Sequence, residues 1–480
     1  MIKKNNIEIF FYVPILMIFL PIILMGHQMW DGVIIDYNVN YDISVIKNWF
    51  YSTRWPYQFW QIYFFYNISK ILNISYALIN GLAVAFSLFL ICKEVYLILV
   101  ELFKVEKYFA RFSVFLVALF PSWQVLLSNV MSFHIICLAL GLLGVRLTYH
   151  NRHFYKFIGY LFCLFSLGYP GNLIFIPTLA FFYEKKLTKI SNYINPILIL
   201  LMSILNYFGN KFFLDGGVLY NEYNSILNPF YLENIKLIFV CFLNFSSYFL
   251  PLVIPLIYYS LRTNKFLLIK IDIDLILIIF LILSAILPFL VVGKSSRISY
   301  YSEWTNRQSF PLGIPLVIFI IFYVNRIYVS LAIKKKIIYF VSIVFFIFLF
   351  LGVNNKITKY SFENDLIEQI SKSISLIPPG RVCISGVDLS PKFRFYELNY
   401  LFYLATGEKV RWVDYCDKLH PSDSFEKFNS LGNFYIYDNT SKNLSNQIFI
   451  SISYLNIDSF YFYKRLFGFE NNKLNFLLVD

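Results

Sequence analysis

Residues 271–292 read IDIDLILIIFLILSAILPFLVV, and after Asp274 this stretch contains no charged side chain. A helix needs about 20 consecutive apolar residues to cross a bilayer. Similar runs recur along the first three quarters of the chain, which is 58% hydrophobic, 21% aromatic and only 14% charged. Because charged residues make up about a quarter of a soluble domain, the sequence predicts a polytopic α-helical membrane protein.

Eleven apolar spans are predicted around that stretch. They cover residues 7–26, 76–100, 112–130, 133–149, 157–169, 171–183, 193–213, 235–261, 271–292, 311–330 and 337–353. The spans at 157–169 and 171–183 are too short to cross alone and meet at the helix-breaking sequence GYPGN, so we interpret them as a short hairpin. No small-x-small cleavage site follows the first span, which favours an uncleaved helix over a signal peptide.

The net charge of +13 fits the topology of these spans. With the N-terminus in the cytoplasm, every cytoplasmic connection is basic, as the positive-inside rule requires. The basic residues lie at 3–4, 104–111, 152–156, 185–189, 262–270 and 334–336. The positive charge therefore indicates orientation and not a nucleic-acid-binding surface. The large pieces then lie outside, namely a first periplasmic loop at 27–75, shorter loops at 209–234 and 293–310, and the region 354–480.

The composition changes near residue 354, where charged residues become more frequent. Strands are predicted at 381–385, 410–413 and 434–437, a helix at 391–405, and a closing hairpin at 459–469 and 474–479. This order favours a small α/β domain, so we divide the chain into a membrane module, 1–353, and a periplasmic α/β domain, 354–480. Cys383 and Cys416 come within bridging distance if the first two strands are paired; two unrelated thiols are the alternative.

Three carboxylates follow the first span closely, at Asp31, Asp36 and Asp42. The aromatic segments 43–50 and 58–68 are expected to lie along the membrane surface as interfacial helices, which holds these acids at headgroup depth. A carboxylate there suits removal of a proton from a hydroxyl that attacks a lipid-linked sugar. Asp31 and Asp36 are the candidates, although the Asp-Gly pair at 31–32 also suits a turn. Asp42 suits the cap of the next helix better.

The predicted outer side also supplies candidate substrate-binding residues, which are Arg54, Tyr57, His134, Arg297, Glu303 and Arg307. Of these, Arg54, Arg297 and Arg307 are the candidates for holding the lipid phosphate. Arginine suits phosphate because its planar guanidinium donates two parallel hydrogen bonds. A salt bridge to Glu303 is the alternative role for Arg297 and Arg307, and a purely structural histidine is the alternative for His134. Lys294 is interpreted as a headgroup anchor, and no Cys/His cluster indicates a metal site.

These features together resemble the GT-C class of glycosyltransferases, integral membrane enzymes that use polyprenyl-phosphate sugars. In that class an acid just after the first helix acts as the base, which corresponds here to the segment Trp30-Asp31-Gly32 with Asp36. The Arg54-Trp55 element and the loop with Arg297 and Arg307 are also similar to such enzymes. A doubled acid is common in the class, and because Asp-Gly stands here instead, both acids stay open as the base.

More narrowly, the size, topology and outer C-terminal domain resemble the serotype-converting O-antigen glucosyltransferases of bacteria and phages. This resemblance implies transfer of a hexose, with glucose expected, from an undecaprenyl-phosphate donor to O-antigen or another surface glycan at the bacterial inner membrane. It also implies contact with membrane lipids and a functional link to a bactoprenol glucosyltransferase and a small flippase. No cofactor is expected; a divalent metal is compatible with the sequence but not indicated by it.

Two other functions stay open. An O-antigen polymerase also has many spans and arginine-bearing outer loops, but such proteins usually place their largest outer loops between spans. A transporter or flippase for polysaccharide or lipid-linked sugar is expected to show an internal repeat and ionisable residues near mid-membrane. We see no clear repeat, and the predicted span interiors carry almost no charge.

Overall fold

The computed structural model describes most of the membrane region and parts of the C-terminal region. The described residues are 31–41, 43–52, 54–127, 129–184, 193–214, 226–228, 230–263, 271–299, 304–373, 375, 380–385, 395–407, 411–415, 447–453 and 475–479. The predictions for the first span at 7–26, for Asp42, for Glu303 and for the Cys383–Cys416 bridge involve residues outside these ranges.

The α-helices within these ranges follow one another with short connections. They are α1 (Asp31–Tyr41), α2 (Ile43–Ser52), α3 (Pro56–Leu72), α4 (Tyr76–Leu97), α5 (Lys107–Ala118), α6 (Ser132–Thr148), α7 (His153–Ser166), α8 (Asn172–Tyr183), α9 (Ile194–Phe213), α10 (Leu232–Ser246), α11 (Leu250–Thr263), α12 (Ile273–Leu290), α13 (Phe310–Arg326), α14 (Leu331–Ser373) and α15 (Phe395–Thr406). A π-helical turn at Ile98–Leu102 extends α4, and 3₁₀ turns lie at Pro121–Leu127, Asn129–Met131, Ser247–Phe249 and Trp304–Ser309.

Six helical segments in the described part of the chain are long and apolar enough to cross a membrane, judged by length and composition. They are Tyr76–Leu102, Ile194–Phe213, Leu232–Thr263, Ile273–Leu290, Asn306–Arg326 and Leu331–Ser373, and the shorter helices α6 and α8 are also apolar. The chain is therefore a multi-pass helical membrane protein. These segments account for part of the eleven predicted spans.

The span predicted at 112–130 is wrong as a single helix. Helix α5 ends at Ala118, and 3₁₀ turns follow from Pro121. Proline has no backbone N–H, and its ring clashes with the carbonyl four residues earlier, so the helix stops just before it. The resulting irregular segment supplies buried polar side chains, including Ser122 and Gln124, to the interior of the membrane region.

The helix break predicted at GYPGN is confirmed, since α7 ends at Ser166 and α8 begins at Asn172. The two helices are not a close-packed hairpin, however. Helix α7 packs chiefly against α6, whereas α8 packs chiefly against α9 and α12. Gly144 of α6 explains the close approach of α7, because a Cβ at this position would lie 2.9 Å from the backbone of Gly159 and Cys163.

A buried charged pair lies within the helices of the membrane region, where the sequence predicted almost no charge. Glu94 of α4 is fully buried and accepts two hydrogen bonds of 2.7 Å from the Arg146 guanidinium of α6. Both residues lie in the last turns of their helices. The bidentate geometry satisfies the buried carboxylate, and we interpret the pair as a structural link between the two helices.

Four strands are described near the C-terminus, β1 (Gly380–Ser385), β2 (Arg411–Tyr415), β3 (Gln447–Ser453) and β4 (Asn475–Val479). They form one sheet in the order β2-β1-β3-β4, in which β1 is parallel to both neighbours and β3 is antiparallel to β4. Strands β1 and β2 and helix α15 lie where the sequence predicted them, whereas β3 was not predicted. The α/β fold of the whole region 354–480 stays a prediction.

The described residues divide into two compact units. The membrane unit contains those within 47–126 and 131–353, and the C-terminal unit contains those within 31–46, 127–130 and 354–479. Helix α14 runs on without a break for 20 residues past the predicted end of its span at 353. The acid-bearing helix α1 thus belongs to the C-terminal unit, although the sequence assigned it to the membrane module.

Candidate functional site

Candidate functional residues lie in each of the two units, a cationic part in the membrane unit and an acidic part in the C-terminal unit, and each part is described by itself. The cationic part is the loop between α12 and α13, here called the arginine loop, of which residues 293–299 and 304–309 are described. It begins with a turn at Gly293, whose φ of +65° favours glycine. A Cβ there would also lie 2.8 Å from the side chain of Leu237, so the start of the loop requires this residue.

Buried hydroxyl groups fix both described parts of the arginine loop. This hydroxyl cluster consists of Ser122, Tyr248, Ser296 and Ser309, each no more than 2% exposed. The Tyr248 hydroxyl lies 2.8 Å from Ser296 Oγ, 3.0 Å from Ser309 Oγ and 3.0 Å from Ser122 Oγ. Each of these hydroxyls has at least two partners within the cluster. Buried hydroxyls that satisfy one another in this way favour a single arrangement.

The hydroxyl cluster also reaches the two candidate arginines through the backbone. The Tyr248 hydroxyl donates to the carbonyl oxygen of Arg297 at 3.2 Å. On the other side, the buried Tyr169 hydroxyl donates to the carbonyl oxygen of Arg307 at 3.2 Å. Both arginines therefore extend from backbone positions that neighbouring elements hold in place.

The cations of the arginine loop differ in exposure. Arg297 is exposed, Lys294 is half-buried and Arg307 is only 9% exposed. Burial, followed by the positive charge of Arg307, lowers the pKa of the Lys294 ammonium to about 8. The Lys294 ammonium and the Arg307 guanidinium are both partly buried and repel each other. An anionic ligand offsets such repulsion, so this pair of cations suits one. The role of headgroup anchor, which the sequence suggested for Lys294, stays a prediction.

The Arg54-Trp55 element lies in the membrane unit between α2 and α3. Arg54 adopts a φ of 62°, which is uncommon for a residue with a side chain, and its Nε donates to the carbonyl oxygen of Leu214 at 3.2 Å. The Trp55 ring meets the His134 ring edge-on, with centroids 5.7 Å apart. Helices α2 and α3 on either side of this element lie where the interfacial helices were predicted.

Three of the predicted residues are brought together around Tyr169. The His134 ring packs edge-on against the Tyr169 ring at 4.5 Å, and the hydroxyl of Tyr169 holds Arg307. Tyr57 packs against Gly168, where a Cβ would lie 2.8 Å from the Tyr57 ring. The GYPGN break therefore does more than end a helix, since it places an aromatic hydroxyl beneath the most buried of the three loop cations.

The acidic part lies on α1, in the C-terminal unit. Asp36 is half-buried and accepts a hydrogen bond of 3.2 Å at Oδ2 from the Tyr400 hydroxyl of α15. Asp31 begins α1.

A cluster of buried charges lies in the same unit. Lys359 Nζ lies 3.0 Å from Glu397 Oε1 and 3.6 Å from Glu363 Oε1, and Lys356, Glu363 and Glu397 are each no more than 3% exposed. Buried charges are stable only when they are paired and hydrogen-bonded. This cluster therefore ties α15 to the C-terminal half of α14.

Sequence reasoning missed the roles of Lys294 and Tyr400. A signal for Lys294 existed, because it shares one short loop with Arg297 and Arg307. None existed for Tyr400, which meets Asp36 across 364 residues of chain. Within the described ranges no group of three His, Cys, Asp or Glu side chains is arranged to hold a metal ion.

No protein-family model matches the chain, and no curated protein is matched by its sequence. Among solved structures, the chain is similar to the crystal structure of ArnT from Cupriavidus metallidurans bound to undecaprenyl phosphate. The two are 11% identical, the match covers 93% of each chain, and the TM-score is 0.46.

Proposed function

We propose that the protein is a membrane glycosyltransferase of the GT-C type, which transfers a hexose from an undecaprenyl-phosphate-linked donor to O-antigen or another surface glycan. The observation that carries this proposal is the arginine loop, where Arg307 and Lys294 are partly buried together on a backbone anchored by buried hydroxyls. Such a site favours an anion that is presented at the end of an apolar anchor, as the phosphate of a polyprenyl lipid is.

The phosphate becomes the leaving group when the sugar is transferred. As the bond between the anomeric carbon and the phosphate oxygen breaks, negative charge grows on that phosphate. Preorganised cations stabilise this charge without having to reorganise during the reaction. Arg297 and Arg307 carry this role, together with Arg54 from the first loop, and Tyr57, Glu303 and His134 are the further candidates for contact with substrate.

The acceptor hydroxyl loses its proton as its oxygen attacks the anomeric carbon. In this proposal Asp31 or Asp36 takes that proton as the general base. The chemistry is then complete: the new carbon–oxygen bond forms, the bond to phosphate breaks, and the proton passes to the carboxylate. The C-terminal region, residues 354–480, would bind acceptor glycan on the periplasmic face of a bacterial inner membrane, with the N-terminus in the cytoplasm and glucose as the expected sugar.

The test is expression in an O-antigen-positive strain that makes undecaprenyl-phosphate glucose, followed by analysis of the polysaccharide. A new side-branch hexose supports the proposal. Unchanged branching with altered chain length indicates a polymerase instead, and an unchanged polysaccharide contradicts both. Asp31→Asn and Asp36→Asn are tested in the same strain, and if both variants retain full activity, neither acid is the base.

A further inference from the structure

Helix α15 presents two buried polar groups on one face inside the C-terminal unit. Glu397 and Tyr400 are three residues apart, which places them about 60° apart around the helix, and each is 2% exposed. A tyrosine is usually buried with a partner for its hydroxyl. Here the hydroxyl of Tyr400 donates to the carboxylate of Asp36.

The charged cluster holds this face of α15 in place. The Lys359 ammonium on α14 pairs with Glu397 at 3.0 Å and with Glu363 at 3.6 Å. Glu397 lies one helical turn before Tyr400, so the ion pair limits both rotation and sliding of α15. The position of the Tyr400 hydroxyl follows from this restraint, because an aromatic side chain has only two rotatable bonds between its backbone and its ring.

The hydrogen bond of 3.2 Å has two effects on a carboxylate that acts as a base. A donor to a carboxylate favours the ionised form, which is the form able to accept a proton. The bond also restricts rotation of the carboxylate, so that its other oxygen keeps one direction. Catalysis by a base depends on both its protonation state and its orientation.

We propose that Tyr400 is a positioning residue that keeps the Asp36 carboxylate ionised and aimed, so that Asp36 rather than Asp31 is the general base. This inference rests on the proposed sugar transfer. It decides between two acids that the sequence left open as the base. It also gives α15, which is far from α1 in the chain, a part in the reaction.

The experiment compares purified full-length wild type, Tyr400→Phe and Tyr403→Phe in phospholipid vesicles, with radiolabelled undecaprenyl-phosphate glucose and O-antigen polysaccharide. Tyr403 lies one turn further along the same helix and is also buried, so it is the matched control. For Tyr400→Phe we expect kcat to fall about tenfold to a hundredfold, the effect of losing a hydrogen bond to a charged group. The KM for the lipid donor is expected to stay within about twofold of wild type, since donor binding does not use this bond.

The pH profile separates positioning from loss of folded protein. Without the hydrogen bond from the Tyr400 hydroxyl, the Asp36 carboxylate takes up a proton at higher pH. The acidic limb of the pH profile of kcat therefore moves upward by about one pH unit. A variant that merely folds poorly gives less active enzyme but leaves the limb where it is. The position of the limb can be measured even if Tyr400→Phe yields little folded protein.

A double-mutant cycle completes the test. In an Asp36→Asn background the base is gone, so adding Tyr400→Phe should change the residual turnover by less than about twofold. The inference is overturned if Tyr400→Phe matches Tyr403→Phe in kcat and in pH profile, if the two mutations act additively, or if Asp31→Asn alone abolishes turnover. An inactive wild type would instead overturn the proposed function itself.

Discussion

Arg307 is the candidate phosphate ligand with the least exposed side chain in the arginine loop, at 9%. Tyr169 holds its backbone carbonyl, so the guanidinium starts from a defined position. We predict that Arg307→Ala lowers kcat/KM for lipid-linked sugar about a hundredfold and Arg307→Lys about tenfold, because lysine keeps the charge but not the planar fork. Initial rates in vesicles give both values.

The matched control for Arg307 is Arg152→Ala, which removes an exposed arginine in a loop predicted to be cytoplasmic. It should leave kcat/KM unchanged. If Arg307→Ala and Arg152→Ala lower kcat/KM equally, the net positive charge of the protein, and not this site, governs binding of the lipid donor.

Lys294 gives a prediction about pH. Burial and Arg307 lower its pKa to about 8, and only the protonated ammonium attracts phosphate. As the pH rises through this value the ammonium loses its proton, so the KM for the lipid donor should rise, by up to about tenfold for a charge-assisted contact. Below pH 7 the ammonium is charged and the KM should be flat.

Lys294→Arg is the comparison, because arginine stays charged throughout this pH range. Its KM should therefore remain flat up to about pH 9. If the arginine variant shows the same rise as wild type, another group titrates and Lys294 is not part of the donor site.

At the scale of elements, the break between α7 and α8 determines where Tyr57 and Tyr169 lie. A Cβ at residue 168 would meet three atoms of Tyr57 at 2.8 to 2.9 Å. We predict that Gly168→Ala forces Tyr57 to shift and destabilises the protein by about 1–3 kcal/mol, the usual effect of overpacking. Thermal unfolding of the purified protein in detergent measures this as a lower Tm.

Gly209→Ala is the control at this scale, since a Cβ at residue 209 meets nothing within 4 Å. Alanine also favours the helical backbone of α9 more than glycine does. The Tm of Gly209→Ala should equal or slightly exceed that of wild type. A comparable fall of Tm in Gly168→Ala and Gly209→Ala would show that the contact with Tyr57 is not what excludes a larger residue at position 168.

At the scale of the whole molecule, the basic connections predict the orientation in the membrane. A reporter enzyme that is active only in the periplasm should be active when fused after residue 480 and inactive when inserted within 264–270. The physical reason is that Lys and Arg near the ends of spans are retained in the cytoplasm. Activity of a cytoplasm-only reporter after residue 480 would contradict the orientation.

Helical spans could be predicted because the bilayer imposes its requirement locally. Within hydrocarbon, backbone polar groups need partners other than water, and a helix supplies them all within its own segment. Length and hydropathy therefore suffice to locate α12 or α9. Turn chemistry is local as well, which is why the break at GYPGN was predicted correctly. The same kind of reasoning failed at 112–130, where Pro121 should have outweighed the apolar composition.

The sequence by itself determined the class of protein, most of the helices, and the presence of arginines and acids in the predicted outer loops. Only the tertiary structure decided which of these groups have fixed positions. The hydroxyl cluster joins residues 122, 248, 296 and 309, and the contact between Tyr400 and Asp36 joins α15 to α1. A hydrogen bond forms over about 3 Å in space, whatever the separation of its partners along the chain. Composition and periodicity describe only residues that are near one another in sequence, so they do not predict such a bond.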